Sequence, residues 1–453
     1  MSAFKVKKIR KKKGPWAWWH HLKEVLGLKT LRLMVAVLAA SLFLMSGVVA
    51  LQYGWLSDEG PNRIIPKFTV LDSDQGHTNI LLLGVAGKNE EGGNLSDSIM
   101  LVSINGEKGT VSLLSLPRDL YLESQVGARK VNEIYAAARF KNGDEAGIEI
   151  IKDAISRFAG IPVHYAAVVN FAVFEEVVDE LDGIKMFVPE DIVDPYYPDD
   201  NYGYQTFIVR KGIQQLDGDM ALKYARSRKT SSDYSRAKRQ QDLLFAIKEK
   251  AKESGVLFQP NVLKSVYESF KDNVNTDLGL PQILALAKLA SGVEYDGLVS
   301  AVLNDDPVNR GGLLYAPARE FYNGQFVLLP QNLKDTQKFI ELTLITPEVL
   351  LENAQIAVLN GSRISGLASQ MALRLRRLGF HVIETGNYDS NEPVFRSFYE
   401  PVSDRPSPKT ELFLQNYLEL SAPLPTLEAN AEAEPTSDNG VVDLNVVLGV
   451  TYN

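Results

Sequence analysis

Nineteen consecutive uncharged residues, Leu33 to Leu51 (LMVAVLAASLFLMSGVVAL), constrain this chain more than any other feature. As a helix the run spans about 29 Å, the hydrocarbon thickness of a bilayer. A soluble helix of that length keeps a polar face, and this run has none. Residues 1–32 hold ten Lys and Arg against one acid, Glu24. Such basic flanks stay on the cytoplasmic side. Trp16, Trp18 and Trp19 before the run, and Tyr53 and Trp55 after it, suit the two membrane interfaces. The pattern predicts a basic cytoplasmic tail at 1–32, a transmembrane helix at 33–52 and a linker at 53–77. The chain would then be a single-pass cell-membrane protein with its remaining residues outside the cytoplasm. A cleaved signal peptide is the alternative, since Val48-Val49-Ala50 offers small residues. Its basic region and apolar core would both be unusually long.

The tail's net +9 within a whole-chain charge of −8 leaves −17 on the rest. An acidic body lacks the basic face that nucleic-acid binding needs, so no nucleic-acid partner is expected. The chain has no cysteine, which excludes disulfides, thiolate metal sites and cysteine nucleophiles.

Beyond the linker the hydrophobic pattern alternates between strand and helix periods. Asn79–Val85, Ser98–Ile104 and Thr110–Leu116 read as strands, with a hairpin turn at Asn105–Gly109. Ala146–Phe158 reads as a helix, Tyr165–Val169 as a strand, Phe171–Leu181 as a helix and Ile184–Val188 as a strand. Residues 189–205, rich in Asp, Pro, Tyr and Asn, read as a long surface loop. Asp217–Ala225 and Ser235–Glu253 read as helices, and 260–345 adds helical patterns and short strands. After a boundary near 346–352, strands at Ile356–Leu359, Val382–Glu384 and Val441–Leu448 alternate with helices at Gly366–Leu378 and Lys409–Leu420. The fold class is therefore α/β (α+β). A central mixed β-sheet flanked by helices occupies 78–345, and a small α/β domain occupies 353–450.

Chemistry-bearing residues concentrate in two places. Arg118-Asp119 follows the third strand, and Arg226-Ser227-Arg228 precedes Asp233, Arg236, Arg239 and Gln240. Arg226 and Arg228, two apart, would point to one side of an extended stretch. Arg236, Arg239 and Gln240, three and four apart, would share a helix face. Converging guanidinium groups repel unless an anion lies between them, and their planar forks suit phosphate. The residues alone leave two readings open: a phosphate or pyrophosphate site, or surface ion pairs with the acidic body. Asp97, with Asp119 or Asp233, could hold a Mg²⁺ beside phosphates. Gly84-Val85-Ala86-Gly87-Lys88 fails as a P-loop, because Leu82 and Asn89 break the spacing. No G-x-S-x-G elbow and no histidine metal spacing is present.

The pieces NILLLG (79–84), LSDSIMLVSI (95–104), LSLPRDLYL (114–122), KVNEIYA (130–136), DELDGIKMFVP (179–189), GIQQLDGDMALKYARSR (212–228) and DYSRAKRQQ (233–241) together resemble the LytR-CpsA-Psr family. The resemblance covers 79–250, the core of the domain. IAVLNGSRISGLASQMALRLRRLGFHV (356–382) and VVDLNVVLG (441–449) resemble the small LytR-type domain often appended to it.

The resemblance implies a phosphotransferase that moves a glycopolymer from a polyprenyl-pyrophosphate glycolipid onto peptidoglycan. It places catalytic roles on Arg118, Asp119, Arg226 and Arg228. The pyrophosphate falls to Arg236, Arg239, Gln240 and Lys130, with Asn132 close by, and Mg²⁺ to Asp97 and Asp233. Asp119 has two open roles, orienting Arg118 or taking a proton from the acceptor. The prenyl chain would lie in an apolar tunnel between helices and sheet, with Phe171, Phe174, Val177 and Val178 as liners. One departure stands out: Ala86 occupies a position where many members carry a metal-binding aspartate. It weakens the expectation of Mg²⁺ and favours one alternative, a non-catalytic polyprenyl-phosphate-binding envelope protein; a lipid pyrophosphatase, with water as the acceptor, is the other.

Overall fold

The computed structural model describes residues 71–87, 93–198, 203–227, 233–254, 274–291, 298–305, 312–420 and 441–452. The expected tail at 1–32, the membrane helix at 33–52 and most of the linker lie outside these residues. So do Arg228 and the side chain of Asp233. Among the described residues no helix is long and apolar enough to cross a membrane.

The chain opens with three antiparallel strands: β1 (His77–Val85), β2 (Ser96–Asn105) and β3 (Thr110–Leu116). A short pair, β4 (Tyr121–Leu122) and β5 (Arg129–Lys130), leads into helices α1 (Val131–Asn142) and α2 (Asp144–Ala159). Strand β6 (Tyr165–Asn170) then lies parallel to β1, and α3 (Phe171–Glu180) follows at once. Next come β7 (Ile184–Val188), β8 (Ile192–Pro198), β9 (Tyr204–Val209) and β10 (Gly212–Leu216). With β7 paired to β10 and β8 to β9, they form two separate two-stranded antiparallel ribbons. Helices α4 (Gly218–Arg226) and α5 (Asp233–Glu253) precede β11 (Asn275–Thr276), α6 (Leu280–Ser291) and β12 (Leu298–Val302). A small hairpin of β13 (Leu314–Tyr315) and β14 (Leu329–Pro330) closes this part. The six-stranded sheet has the order β11-β6-β1-β2-β3-β12, with β6 and β12 parallel to their neighbours β1 and β3.

Alternation sorts the apolar side chains of this sheet into two cores. Leu81, Leu83, Leu101 and Leu114 face α1 and α2 through Ile134 and Ile151. Ile80, Leu82, Met100 and Val102 face α3 and α5 through Val177 and Leu243. Because both faces are covered, β1 reads as an unbroken apolar run. The expected mixed sheet flanked by helices is observed.

Helices α7 (Leu333–Leu344) and α8 (Pro347–Leu351) lead into a second sheet of β15 (Gln355–Asn360), β16 (His381–Asn387), β17 (Phe398–Pro401) and β18 (Leu444–Leu448), with α9 (Leu367–Arg377) and α10 (Pro408–Tyr417). Its order is β16-β15-β18-β17. The core under α1 and α2 continues into this sheet through Ile340, Leu344 and Leu375. Arg374 on α9 clasps Asp335 on α7 with two donors, Nε at 3.1 Å and Nη2 at 2.8 Å.

Two sequence expectations need correction. Residues 189–205, expected as a loop, instead carry most of the β8–β9 ribbon. Pro195 sits in the register shift between Asp194 and Tyr197, and Pro198 ends its strand. Proline is tolerated at bulges and strand ends, so its presence mimicked a loop. Helix α1 was not foreseen because its start carries no side-chain cap: Lys130 stands at the N-cap.

Local chemistry fixes the joints near the site. Asn170 caps α3 by accepting from Val173 N at 2.9 Å, and Asp217 caps α4 by accepting from Met220 N at 2.9 Å. Gly218 brings α4 hard against α3; a Cβ there would meet Glu175 O at 2.4 Å. Gly218→Ala should therefore cost about 1–3 kcal/mol of stability. Chemical unfolding with an unchanged midpoint would contradict that close approach.

Two histidines, His77 buried and His164 half-buried, are held neutral. Asn105 Oδ1 accepts from Glu107 N and Lys108 N, which turns its amide NH₂ toward His77 Nε2 at 2.9 Å. His77 Nε2 must therefore accept, and Nδ1 donates to Ser103 Oγ at 2.9 Å. His164 Nδ1 likewise accepts from Asn79 N at 2.9 Å. Burial lowers both pKa values from 6.5. Their stabilising contribution is complete above pH 6.5 and is lost as pH falls through the lowered values. Thermal unfolding followed from pH 7.5 down to 5 should show a falling midpoint, and a flat profile would refute the neutral assignment.

Candidate functional site

The carboxyl ends of β1, β3 and β6 and the start of β2 share one edge of the main sheet. Two groups of charged side chains gather there.

The first follows β3. Arg118 Nη1 donates to Asp97 Oδ1 at 2.8 Å, and Arg118 Nε lies 3.7 Å from Asp119 Oδ2. Lys130 Nζ donates to Asp119 Oδ1 at 2.7 Å. The result is an alternating row, Asp97–Arg118–Asp119–Lys130. Partly exposed pairs of this kind add about 0.2–1 kcal/mol each, so the row positions Arg118 more than it stabilises the fold.

The second group lines a cleft with Asp97. Arg226, the last residue of α4, lies with its guanidinium carbon 4.4 Å from the centroid of the Phe171 ring and 5.8 Å from that of Tyr197. Arg236 and Gln240, one turn apart on α5, line the same cleft with Ser98, Asp194 and Tyr196. Ser98 Oγ donates to Gln240 Oε1 at 2.8 Å, and Gln240 Nε2 donates to Ala225 O at 3.3 Å. Asp194 is buried and accepts from Ser227 Oγ at 3.0 Å and Tyr196 N at 3.2 Å. Burial pushes the Tyr197 phenol up to about 12, against the opposing pull of Arg226, so the ring stays neutral beside the guanidinium.

An apolar cavity adjoins this cleft. It occupies about 850 Å³ including its open mouth. Leu82 and Met100 of the sheet, Phe174 and Val177 of α3, Leu222 of α4, and Leu243 and Ile247 of α5 form its walls. Ser98, Phe171, Arg226 and Gln240 belong to both spaces.

The sequence-derived residues thus divide. Arg226, Arg236, Gln240 and Asp97 line one cleft, and Arg118, Asp119 and Lys130 connect to it through Asp97. Arg239 is buried away from the cleft lining. Its Nε donates to Tyr224 O at 3.0 Å and its Nη2 to Ser227 O, which braces the end of α4. Burial also lowers the pKa of its guanidinium. Arg226 ends a helix rather than lying in an extended stretch, which corrects the geometry expected for the Arg-x-Arg pair. Phe171, Phe174 and Val177 line the cavity, whereas Val178 is core. Asn132 is buried beside this group, its N–H donating to Arg118 O at 3.4 Å. Sequence reasoning missed Ser98, Asp194, Tyr196 and Tyr197. The three from β8 were hidden in the presumed loop, though Ile192 and Asp194 alternate with Val193 as strand residues do.

Residues 57–322 match the LytR_cpsA_psr family, and residues 353–452 match the LytR cell envelope-related transcriptional attenuator domain. The polyisoprenyl-teichoic acid–peptidoglycan teichoic acid transferase TagT of Bacillus subtilis (strain 168) is 27% identical over 282 residues, 61% of this chain and 80% of the relative. Its counterpart TagV is 26% identical over 310 residues, 66% of this chain and 74% of the relative. The cell wall biosynthesis protein LcpA of Corynebacterium glutamicum is 25% identical over 362 residues, 69% of this chain and 67% of the relative. Among solved structures, that of B. subtilis TagV aligns with TM-score 0.45 and 24% identity, covering 60% of this chain and 98% of TagV. The LytR-CPS2A-psr family protein YwtF (TagT) with bound octaprenyl pyrophosphate lipid aligns with TM-score 0.42 and 25% identity, covering 61% of this chain and 95% of that one. The chain belongs to the LytR-CpsA-Psr family.

Proposed function

We propose that this chain is a membrane-anchored, extracytoplasmic phosphotransferase that moves a glycopolymer from a polyprenyl-pyrophosphate carrier onto peptidoglycan. The observation that carries the reading is the shared wall. A cleft lined by Arg226 and Arg236 opens onto an apolar cavity, and a prenyl diphosphate is a ligand with those two halves. The names of TagT and TagV, polyisoprenyl-teichoic acid–peptidoglycan teichoic acid transferases, support the same donor and acceptor classes. The uncharged run at 33–51 supports the anchor.

In this reading Arg226, Arg236 and Gln240 bind the diphosphate oxygens. Arg118, aligned by Asp97 and Asp119, meets charge developing on the transferring phosphoryl group. The acceptor hydroxyl oxygen forms a bond to the sugar-bearing phosphorus. The bond from that phosphorus to the bridging oxygen breaks, and the prenyl monophosphate departs. Both carboxylates lining the cleft are engaged, Asp194 by Ser227 and Tyr196 and Asp97 by Arg118, so the hydroxyl proton leaves to solvent through the cleft mouth. Asp119, held by Lys130 and Arg118, orients Arg118. In phosphoryl transfer the protein contributes mainly position and electrostatics, which is what guanidinium groups provide.

Among the described residues no three His, Asp or Glu side chains converge as a metal nest. Mg²⁺ needs only one or two carboxylates when phosphates supply the other oxygens, so Asp97 fits an ion that arrives with the donor. Such an ion would add charge neutralisation on the diphosphate. Ala86 favours the second reading, a non-catalytic lipid-phosphate binder, and turnover of a prenyl-diphosphate-linked sugar with and without Mg²⁺ separates the two.

Arg118→Ala should lower kcat by about 10²–10³ with little loss of donor binding. Arg226→Ala should weaken donor binding itself, by roughly tenfold or more. Transfer and prenyl-diphosphate binding are measured on the full chain in detergent. Wild-type behaviour in both variants would end the proposal.

A further inference from the structure

The β8–β9 ribbon that borders the cleft carries a surface that extends beyond it. Tyr196 lines the cleft, and its ring meets that of Tyr204 across the ribbon edge-to-face, with centroids 6.0 Å apart at 80°. Both are exposed, at 55% and 70%. Gln205 and Thr206 beside them are exposed as well. Large aromatic side chains left in water mark an interaction surface more often than chance placement does. We propose that this end of the ribbon is the platform for the acceptor, on which the pyranose rings of a peptidoglycan glycan strand lie. The inference rests on the transferase reading and deepens it by placing the second substrate.

Three observations select a glycan over a bilayer or an anionic polymer. First, β8 and β9 contain no Lys or Arg, and Arg210, the first cation beyond β9, is engaged by Asp191 at 2.8 Å. An interfacial membrane surface draws on such cations. Tyrosine, glutamine and threonine instead offer flat apolar faces edged with neutral hydrogen-bonding groups. That combination suits a sugar ring, with C–H bonds on its faces and hydroxyls around its rim. Second, Tyr196 belongs to both surfaces, so a strand lying on the ribbon delivers a hydroxyl to the arginine cleft. Third, the chain enters the domain at the far end of the sheet. Asp72, near the first described residue, donates through its N–H to Tyr165 OH at 2.9 Å, and Tyr165 lies opposite Ile80 near the start of β1. The cleft is at the other end of β1, where Ser98 of its lining pairs with Gly84. The described chain thus begins at the end of the sheet opposite the platform.

The test titrates the full chain, in detergent, with a peptide-free tetrasaccharide of alternating N-acetylhexosamines and, separately, with a prenyl diphosphate. Tyr204→Ala should weaken tetrasaccharide binding tenfold or more and leave prenyl-diphosphate binding within twofold, and Tyr196→Ala should likewise weaken tetrasaccharide binding. Tyr204→Phe, which keeps the ring, should retain most of the glycan affinity. Arg226→Ala should show the reverse pattern. Tetrasaccharide binding that is absent in the wild-type chain, or unchanged in both alanine variants, overturns the platform. Failure of prenyl-diphosphate binding with glycan binding intact would instead defeat the donor reading. Because the chain has no cysteine, a nitroxide on Tyr204→Cys reports this position alone. In nanodiscs it should remain accessible to a water-soluble relaxant; burial among lipid chains would assign the ribbon to the bilayer and overturn the proposal.

Discussion

A charged cleft and an apolar slot can share a wall only if some side chain is at ease in both, and in this protein that side chain is Arg226. Its planar guanidinium lies over Phe171 and near Tyr197, so its faces contact aromatic rings while its edges still donate. Guanidinium is planar and weakly hydrated and stacks on rings more readily than the strongly hydrated, non-planar ammonium. Arg226 is also the last residue of α4, where the helix carbonyls favour a cation. The neighbouring carbonyls are already claimed: Gln240 takes Ala225 O, and Arg239 takes those of Tyr224 and Ser227. Two side chains of α5 thus brace the helix end and leave Arg226 to face the cleft.

Arg118 is positioned by a different device. It comes from the end of β3 and is held between Asp97 and Asp119, with Lys130 closing the row. Lys130 starts α1, and α1 lies on the opposite face of the sheet from the helices that carry Arg226 and Arg236. The site therefore draws on both layers, and the mixed sheet between them sets the separation. Asp97 is the hinge of the arrangement, since it touches Arg118 and lines the cleft.

Much of this was legible in the sequence because the signals were local. The apolar runs of β1, β2 and β3, the Asp217 cap and the α5 periodicity all mark their elements directly. Arginine clustering pointed to an anion, and the three- and four-residue spacing on α5 correctly put Arg236 and Gln240 on one face. Spacing could not tell Arg236 from Arg239, because only the packing of α4 decides which guanidinium meets carbonyls and which meets the cleft. The ribbon was missed because its prolines carry a loop signature, yet at a bulge and a strand end they are compatible with pairing. Asp194 went with it, although it is the buried carboxylate that holds Ser227, the residue after Arg226.

The claim that the cavity and the arginine cleft form one amphipathic site is tested most directly by chain length. Binding of free prenyl diphosphates to the full chain in detergent would be measured for tails of increasing numbers of isoprene units. Burial stabilises by about 0.8 kcal/mol per methylene, so the account predicts that affinity climbs steeply with each early unit and levels off once the cavity is filled. Affinity that does not depend on tail length would contradict it, because the diphosphate would then be held without the cavity.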